Sequence, residues 1–309
     1  MDINAANMKA LFQTFNTAFS DGMQAGGVRV TPEDLILAEI AMTGTSTTAS
    51  AVHAWLKQIK SIRKWIGPRN VNNVDSGKLE AINDDYENTV GMSANAIADD
   101  QYGLYTPLIR AMGIDASNLW LKLAVNALIA NGTWIDGKAF FAADHLYGEG
   151  NTINNYTASA LSADTYKAAI AALQSYKGDG GEPLEVAPRY LVCGPSLRQT
   201  AWDLVKNQFV VGGTTNKAGA IQNSLQGTTE LRVSRRLVGD YANYWFILGE
   251  MGGIKPVYVL TRKEPSLVTK DSEKDDNVFM ENEVLYGVHA RGTAFLTLPH
   301  LAYGGIVAA

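Results

Sequence analysis

A chain of 309 residues with 46% hydrophobic content has the material for a substantial core, in one large domain or two lobes, and excludes disorder throughout. The formal net charge of -5 excludes a protein that grips nucleic acid along its length, because such binding is driven by phosphate neutralisation; any contact with DNA is expected to be weak and local. A single cysteine, Cys193, excludes a disulfide framework and a cysteine-based zinc site, and fits folding in a reducing cytoplasm.

Met8, Leu11, Phe12, Phe15 and Phe19 fall on one stripe and predict an amphipathic helix, with Asp21-Gly22 as its stop. The N-terminus has neither a basic leader nor an unbroken apolar run, and no later segment reaches the roughly 18 apolar residues of a membrane span. No targeting signal, anchor or membrane partner is therefore expected. The Gly-, Thr- and Ser-rich stretch that follows makes the first fifty residues read as a helix on an extended, flexible arm. Such an arm is expected to dock on something.

Residues 61–93 carry only scattered large apolar side chains, Trp65 among them, and cannot build a core alone. Gly77 and Asn83-Asp84-Asp85 supply turn chemistry before a strand from Tyr86 to Met92, which places Tyr86, Asn88, Val90 and Met92 on one side. The stretch reads as a long polar β-hairpin whose partner lies elsewhere. Over 104–132, Leu121, Val125 and Leu128 share a helical stripe, Asp115 or Ser117 is placed to cap, and Asn131-Gly132 ends it. This predicts the longest helix, with Gly113 as the point at which it would break.

A Trp/Phe-rich passage, Trp134 to His145, leads through a polar loop to a helix with Tyr166, Ile170 and Leu173 in register, closed by Gly178. A strand at 189–193 and a helix from about Ser196 to Asn207 follow. Residues 208–229 have the composition of a mobile loop, and three strands are expected at 231–238, 244–248 and 257–261. Beyond a charged turn at 270–276, residues 284–298 predict a long strand in which Gly287 and Gly292 mark bulges or close approaches. The alternation of helix and strand makes the class mixed, α+β.

Few residues carry chemistry. Asp144-His145, with Asp99-Asp100, is the one acid/base or metal candidate, but adjacent residues rarely face one another and no His-x-x-x-His spacing supports it. A loop histidine and a solvated acidic helix start are the simpler reading. The paired glycines form neither a dinucleotide fingerprint nor a phosphate loop, and Gly194-Pro195-Ser196 reads as a loop and helix cap. No cofactor is expected. Arg232 to Arg236 is the only compact basic run; alternation along a strand would put Arg232 and Arg236 on one solvated or intersubunit salt-bridge face. Lys78, near the hairpin tip, is a reactive-amine candidate as in crosslinked shells, though exposed lysines mostly serve solubility.

Trp55-Leu56, Arg63, Trp65, Gly67 and Arg69, followed by Tyr86-Glu87, Ile97, Asp99-Asp100, Gly103 and Tyr105, resemble two blocks of the Mu-like phage major head subunits, a branch of the tailed-phage major capsid proteins. Further agreement lies in Phe140 to His145, Leu161 to Tyr166, Arg189 to Cys193, Tyr286 to Phe295 and Leu301 to Gly305. Lys60 and Leu146 stand where that family often has proline.

The resemblance implies the Hong Kong type of phage capsid fold: an N-terminal arm at 1–54, an extended β-hairpin loop at 55–100, a peripheral domain at 101–154 and 256–309 with a spine helix near 104–131, and an axial domain at 155–255. It implies a structural protein and not an enzyme, self-assembling into hexamers and pentamers of an icosahedral shell around double-stranded DNA. The hairpin would pack across a neighbouring subunit and the loop at 208–229 would sit near the capsomer centre. Expected partners are further copies of the chain, a separate scaffold protein, a portal and, weakly, packaged DNA; the expected place is the virion, assembled in the bacterial cytoplasm. Expected intersubunit contacts are Phe12, Phe15, Arg63, Trp65, Arg69, Lys78, Tyr86, Glu87, Arg232 and Arg236. The rival readings are a bacterial nanocompartment shell of the same fold and an enzyme using Asp144 and His145.

Overall fold

The computed structural model describes residues 5–48, 50–56, 76–99, 103–146, 152–178, 181–211, 220–272 and 274–307. The chain opens with helix α1 (Ala5–Ala25), a short α2 (Leu37–Ile40) and strand β1 (Ala41–Thr45), followed by the hairpin strands β2 (Ser50–Leu56) and β3 (Ser76–Ile82). Next come β4 (Asp84–Ser93), α3 (Ala94–Ala98), α4 (Tyr105–Ser117) and α5 (Leu119–Ala130), then the short strands β5 (His145–Leu146), β6 (Thr152–Ile153) and β7 (Tyr156–Thr157). The middle of the chain holds α6 (Ala163–Ser175), β8 (Ala187–Cys193), α7 (Arg198–Val205), β9 (Phe209–Val211), β10 (Ala220–Gln222), β11 (Glu230–Val233) and β12 (Trp245–Glu250). It closes with β13 (Val257–Lys270), α8 (Asp276–Glu281), β14 (Glu283–Leu296) and β15 (Ala302–Gly305).

Two sheets organise these elements into two lobes. One has the order β1-β13-β14-β4, with β1 parallel to β13 and the rest antiparallel. The other has the order β11-β8-β12-β15-β7. Strand β14 alternates as its sequence requires: Val284, Tyr286, Val288 and Ala290 point inward, and the first three form a core with Phe15 and Phe19 of α1 and Ile109 and Met112 of α4. Strand β12 is buried on both faces. Trp245 and Ile247 join α6 and α7 in one core, while Phe246 and Leu248 join α5, Phe140 and Phe141 in the next. Covered faces on both sides explain why this strand reads as an unbroken apolar run.

Local chemistry sets several element ends. The Ser162 hydroxyl accepts from the Thr165 amide and starts α6. Asn131 adopts a left-handed conformation (φ 47°) that ends α5, and its side-chain oxygen accepts from the Phe141 amide at 2.6 Å.

Several expectations need correction. The N-terminal helix docks as expected, but on its own chain, against α4 and β14, and the segment after it is not simply extended and flexible, since β1 is a strand of the four-stranded sheet. Helix α1 does not stop at Gly22 but runs on to Ala25, because Gly22 serves a close helix crossing. The helix expected at 104–131 is two helices broken at Asn118, not at Gly113, and α1 is the longest among the described residues. The Tyr86–Met92 strand pairs with β14, whereas β3 takes β2 as its hairpin partner. The loop at 208–229 carries the antiparallel pair β9–β10, and the charged turn leads into α8. The long strand expected at 284–298 is β14 of the four-stranded sheet, while the short β15 that follows it joins the five-stranded sheet. At Gly292 the expected close approach is real: a Cβ there would lie 2.5 Å from the Leu260 carbonyl and 2.8 Å from the Trp120 ring.

Candidate functional site

The basic run at 232–236 finds its partners within the chain. Residues 33–35 lie along the edge of β11, the Val233 amide donating to the Glu33 carbonyl at 2.7 Å. Around this backbone contact stand Arg198–Glu33 at 3.0 Å, Arg235–Asp34 at 3.2 Å and, at the centre, Arg232 on Glu39. Arg232 is buried, 7% exposed at its side chain. Its Nε lies 2.8 Å from both Glu39 carboxylate oxygens, Nη2 lies 2.7 Å from one of them, and the guanidinium covers the Tyr190 ring at 5.1 Å. Arg29 bonds the same carboxylate and Glu230 bonds Arg232. Burial alone would raise the Glu39 carboxyl, but the hydrogen bonds and charges of Arg232 and Arg29 hold it below the usual range. The segment is a strap: α1 grips the four-stranded lobe, residues 33–39 the five-stranded lobe, and β1 the four-stranded sheet again.

The hairpin β2–β3 forms a two-stranded sheet that joins no other strand among the described residues. It leaves the body where β4 begins, at the level of Gly292, while α8 precedes Glu283 at the other end of β14, roughly 30 Å away at about 3.3 Å per residue. Phe279 and Met280 of α8 are 80% and 76% exposed, with Asp275, Asp276 and Glu281 around them. On the outer part of β4, Glu87 is exposed and accepts from the Thr89 hydroxyl, while Tyr86 is half-buried, its phenol pushed up by burial and then by the charge of Asp84.

His145 is not partnered by Asp144. It is buried, its Nδ1 2.6 Å from Asp136 Oδ2 and its Nε2 2.8 Å from the Phe140 carbonyl, with the edge of Trp134 against its ring. Asp144 turns outward and takes Lys138 at 2.6 Å, a hydrogen bond that holds its carboxyl below the usual range. The two residues of the acid/base candidate thus have different partners. Asp99 is exposed, and Asp100 lies outside the described residues. Cys193 is buried, and burial pushes its thiol up to about 12, which makes it a poor nucleophile.

The expected contact residues separate into groups. Phe15 is buried inside its own chain, edge-on to Tyr286 at 5.6 Å, and Arg232 is enclosed by Glu39 and Glu230; neither offers a surface to a neighbour. Phe12 is half-buried beside the same tyrosine. Arg236 sits in a turn beyond β11 and does not share a strand face with Arg232. Tyr86 and Glu87 lie on the edge strand β4. The backbone of Lys78 belongs to β3, while Arg63, Trp65 and Arg69 lie outside the described residues. Sequence reasoning missed Glu39, Asp136 and Asn155, whose partners are far off in sequence or lie in irregular chain.

Comparison with known proteins follows the same outline. A family model described as Mu-like prophage major head subunit gpT matches residues 8–160, 153–226 and 220–306, nearly the whole chain. The Mu-like prophage FluMu major head subunit of Haemophilus influenzae is 26% identical over 307 residues, 97% of this chain and 74% of that protein. The major capsid protein of Escherichia phage Mu is 23% identical over 297 residues, 95% of this chain and 72% of that one. Among solved structures, the procapsid of bacteriophage JBD30 contains a chain of the same fold, with a TM-score of 0.53 and 23% identity over 98% of this chain and 75% of that chain.

Proposed function

The chain belongs to the Mu-like prophage major head subunit family, and from that premise we propose that its copies assemble as hexamers and pentamers of an icosahedral head that packages double-stranded DNA. The observation that carries this reading is the unaccompanied hairpin β2–β3. A two-stranded ribbon is marginal on its own, and among the described residues no further strand pairs with this one, so the surface of a neighbouring copy is the support proposed for it. A contact that runs from one copy's hairpin to the next copy's body is heterologous, and such contacts form rings where the rotation between copies closes.

Charge supports one partner for it. Residues 57–69 carry Lys57, Lys60, Arg63, Lys64 and Arg69 and no carboxylate, with Ile59, Ile62, Trp65 and Ile66 between them. At the far end of β14, Asp271, Asp275, Asp276, Glu281 and Glu283 outnumber Lys270 and Lys274 around the exposed Phe279 and Met280. A basic, apolar stretch between the hairpin strands in sequence and an acidic, apolar knob at α8 suit each other between copies. Tyr86 and Glu87 on the edge strand β4 belong to the same proposed contact region, as does Lys78 on the hairpin. The proposed domain map keeps 1–54 as a strap in place of a free arm, 55–100 as the hairpin with the edge strand β4, the four-stranded lobe as peripheral and the five-stranded lobe as axial.

A scaffold protein, a portal and loose contact with packaged DNA complete the proposed partners, with assembly in the host cytoplasm. The charge of -5 suits this role, since a mildly charged wall confines DNA without holding it. Trp65→Ala is expected to leave the melting temperature of the isolated subunit unchanged while reducing assembly, measured by sedimentation of both states. Equal loss of subunit stability and assembly would place Trp65 in its own core and overturn the hairpin contact.

A further inference from the structure

The passage from α5 to α6 is the joint between the lobes. Trp134 packs against both the five-stranded core and the core beneath α5, and its Nε1 donates to the Thr297 carbonyl at 2.7 Å. Asn155 donates to the Phe140 and Pro299 carbonyls at 2.9 and 3.0 Å, and its side-chain oxygen accepts from the Ala142 amide. His145 stands in the middle of this network, paired along the backbone with Ile153. Both of its ring nitrogens face acceptors: the Asp136 carboxylate at 2.6 Å and the Phe140 carbonyl at 2.8 Å.

A carbonyl can only accept, so Nε2 must carry a hydrogen. The contact on the other side also needs one, on Nδ1 or on the carboxyl. We propose that His145 and Asp136 together hold one more proton than a neutral imidazole beside a carboxylate, and that this buried proton locks the joint, so that raising the pH unlocks it. The other charged groups set against the pair are Asp144 and, bonded to it, Lys138, both turned toward solvent. Removal of the proton would leave a bare ring nitrogen against a bare carboxylate; the Asp136 carboxylate, 16% exposed, keeps a water-facing side, but the imidazole, 1% exposed, has none on which to relax.

The sign follows from linkage. Where the native state binds one proton more than the unfolded chain, the folding equilibrium weakens about tenfold per pH unit, beginning above the ordinary imidazole value near 6.5. Asp136→Asn supplies the test. Its amide can donate to Nδ1 while Nε2–H keeps the carbonyl, which satisfies a neutral ring without the extra proton. Denaturant unfolding of the unassembled subunit is expected to show wild-type stability falling between about pH 7 and about pH 9, and a flat profile for Asp136→Asn over that range. Parallel profiles for the two proteins would overturn the proposal. Should Asp136→Asn fail to fold, histidine nitrogen NMR of the wild-type protein decides, with His145→Gln assigning the signals. Two protonated ring nitrogens at neutral pH are expected if the proton rides on the ring, and their merging with the carboxyl titration if it is shared; a ring nitrogen bare at neutral pH beside an ionised Asp136 would overturn it.

Discussion

Arg232→Met is expected to destabilise the unassembled subunit by about 3 kcal/mol, read from denaturant unfolding, because it strands the Glu39 carboxylate in a site that is 10% exposed. Breaking one side of a buried pair is costly because the remaining charge has lost its water and its counter-ion together. Arg29 still reaches Glu39, which sets the expectation at the lower end of the range for such deletions. The double variant Arg232→Met/Glu39→Met is expected to recover most of the loss, since an apolar pair of similar volume removes the stranded charge. If the double variant is as unstable as the single one, the cost lies in lost packing on Tyr190 and not in the charge.

The same cluster gives a pH dependence. The folded Glu39 carboxyl lies below its ordinary value, so the strap's contribution is complete above the ordinary carboxylate range and is lost as the pH falls through the folded value. In Glu39→Gln this acid-dependent part of the stability is expected to be missing.

Gly113→Val is expected to detach α1. A Cβ at Gly113 would lie 2.3 Å from the Phe19 carbonyl and 3.1 Å from the Gly22 Cα, and one at Gly22 would lie 2.2 Å from the Arg110 carbonyl. Two helices therefore cross backbone to backbone, glycine on glycine, and neither neighbour is a side chain that can swing away. Helix propensity argues the other way, since even alanine would gain about 1 kcal/mol over glycine in a helix interior. Overpacking at about 1–3 kcal/mol outweighs that gain, and a β-branched side chain sits at the upper end. Because the strain is relieved by separation, Phe15 and Phe19 become exposed, and limited proteolysis is expected to cut before Ala25 while the rest of the chain stays resistant. Intact α1 in the variant would mean that the crossing relaxes without undocking.

These cases show which features are readable in a linear sequence. The stripe of α1, the alternation of β14 and the doubly covered run of β12 are periodic, and period alone is enough to expect them. Partners are another matter. Gly22 and Gly113 look like a helix stop and a helix break, yet each is a close approach whose reason lies in the other helix. Arg232 reads as part of an exposed basic run, and its carboxylate is 193 residues away. His145 invites pairing with its neighbour in sequence, but the turn through Gly137 brings Asp136 to it instead. The family resemblance, carried by scattered aromatic, glycine and charged positions, supplied the fold that periodicity could not.

Negative-stain electron microscopy of the purified chain, alone and with a scaffold protein, over a range of concentrations tests the central claim directly. Closed shells, tubes or isolated hexameric rings are the expected result. A strictly monodisperse monomer or dimer under every condition would contradict assembly through the hairpin and the shell-forming role built on it.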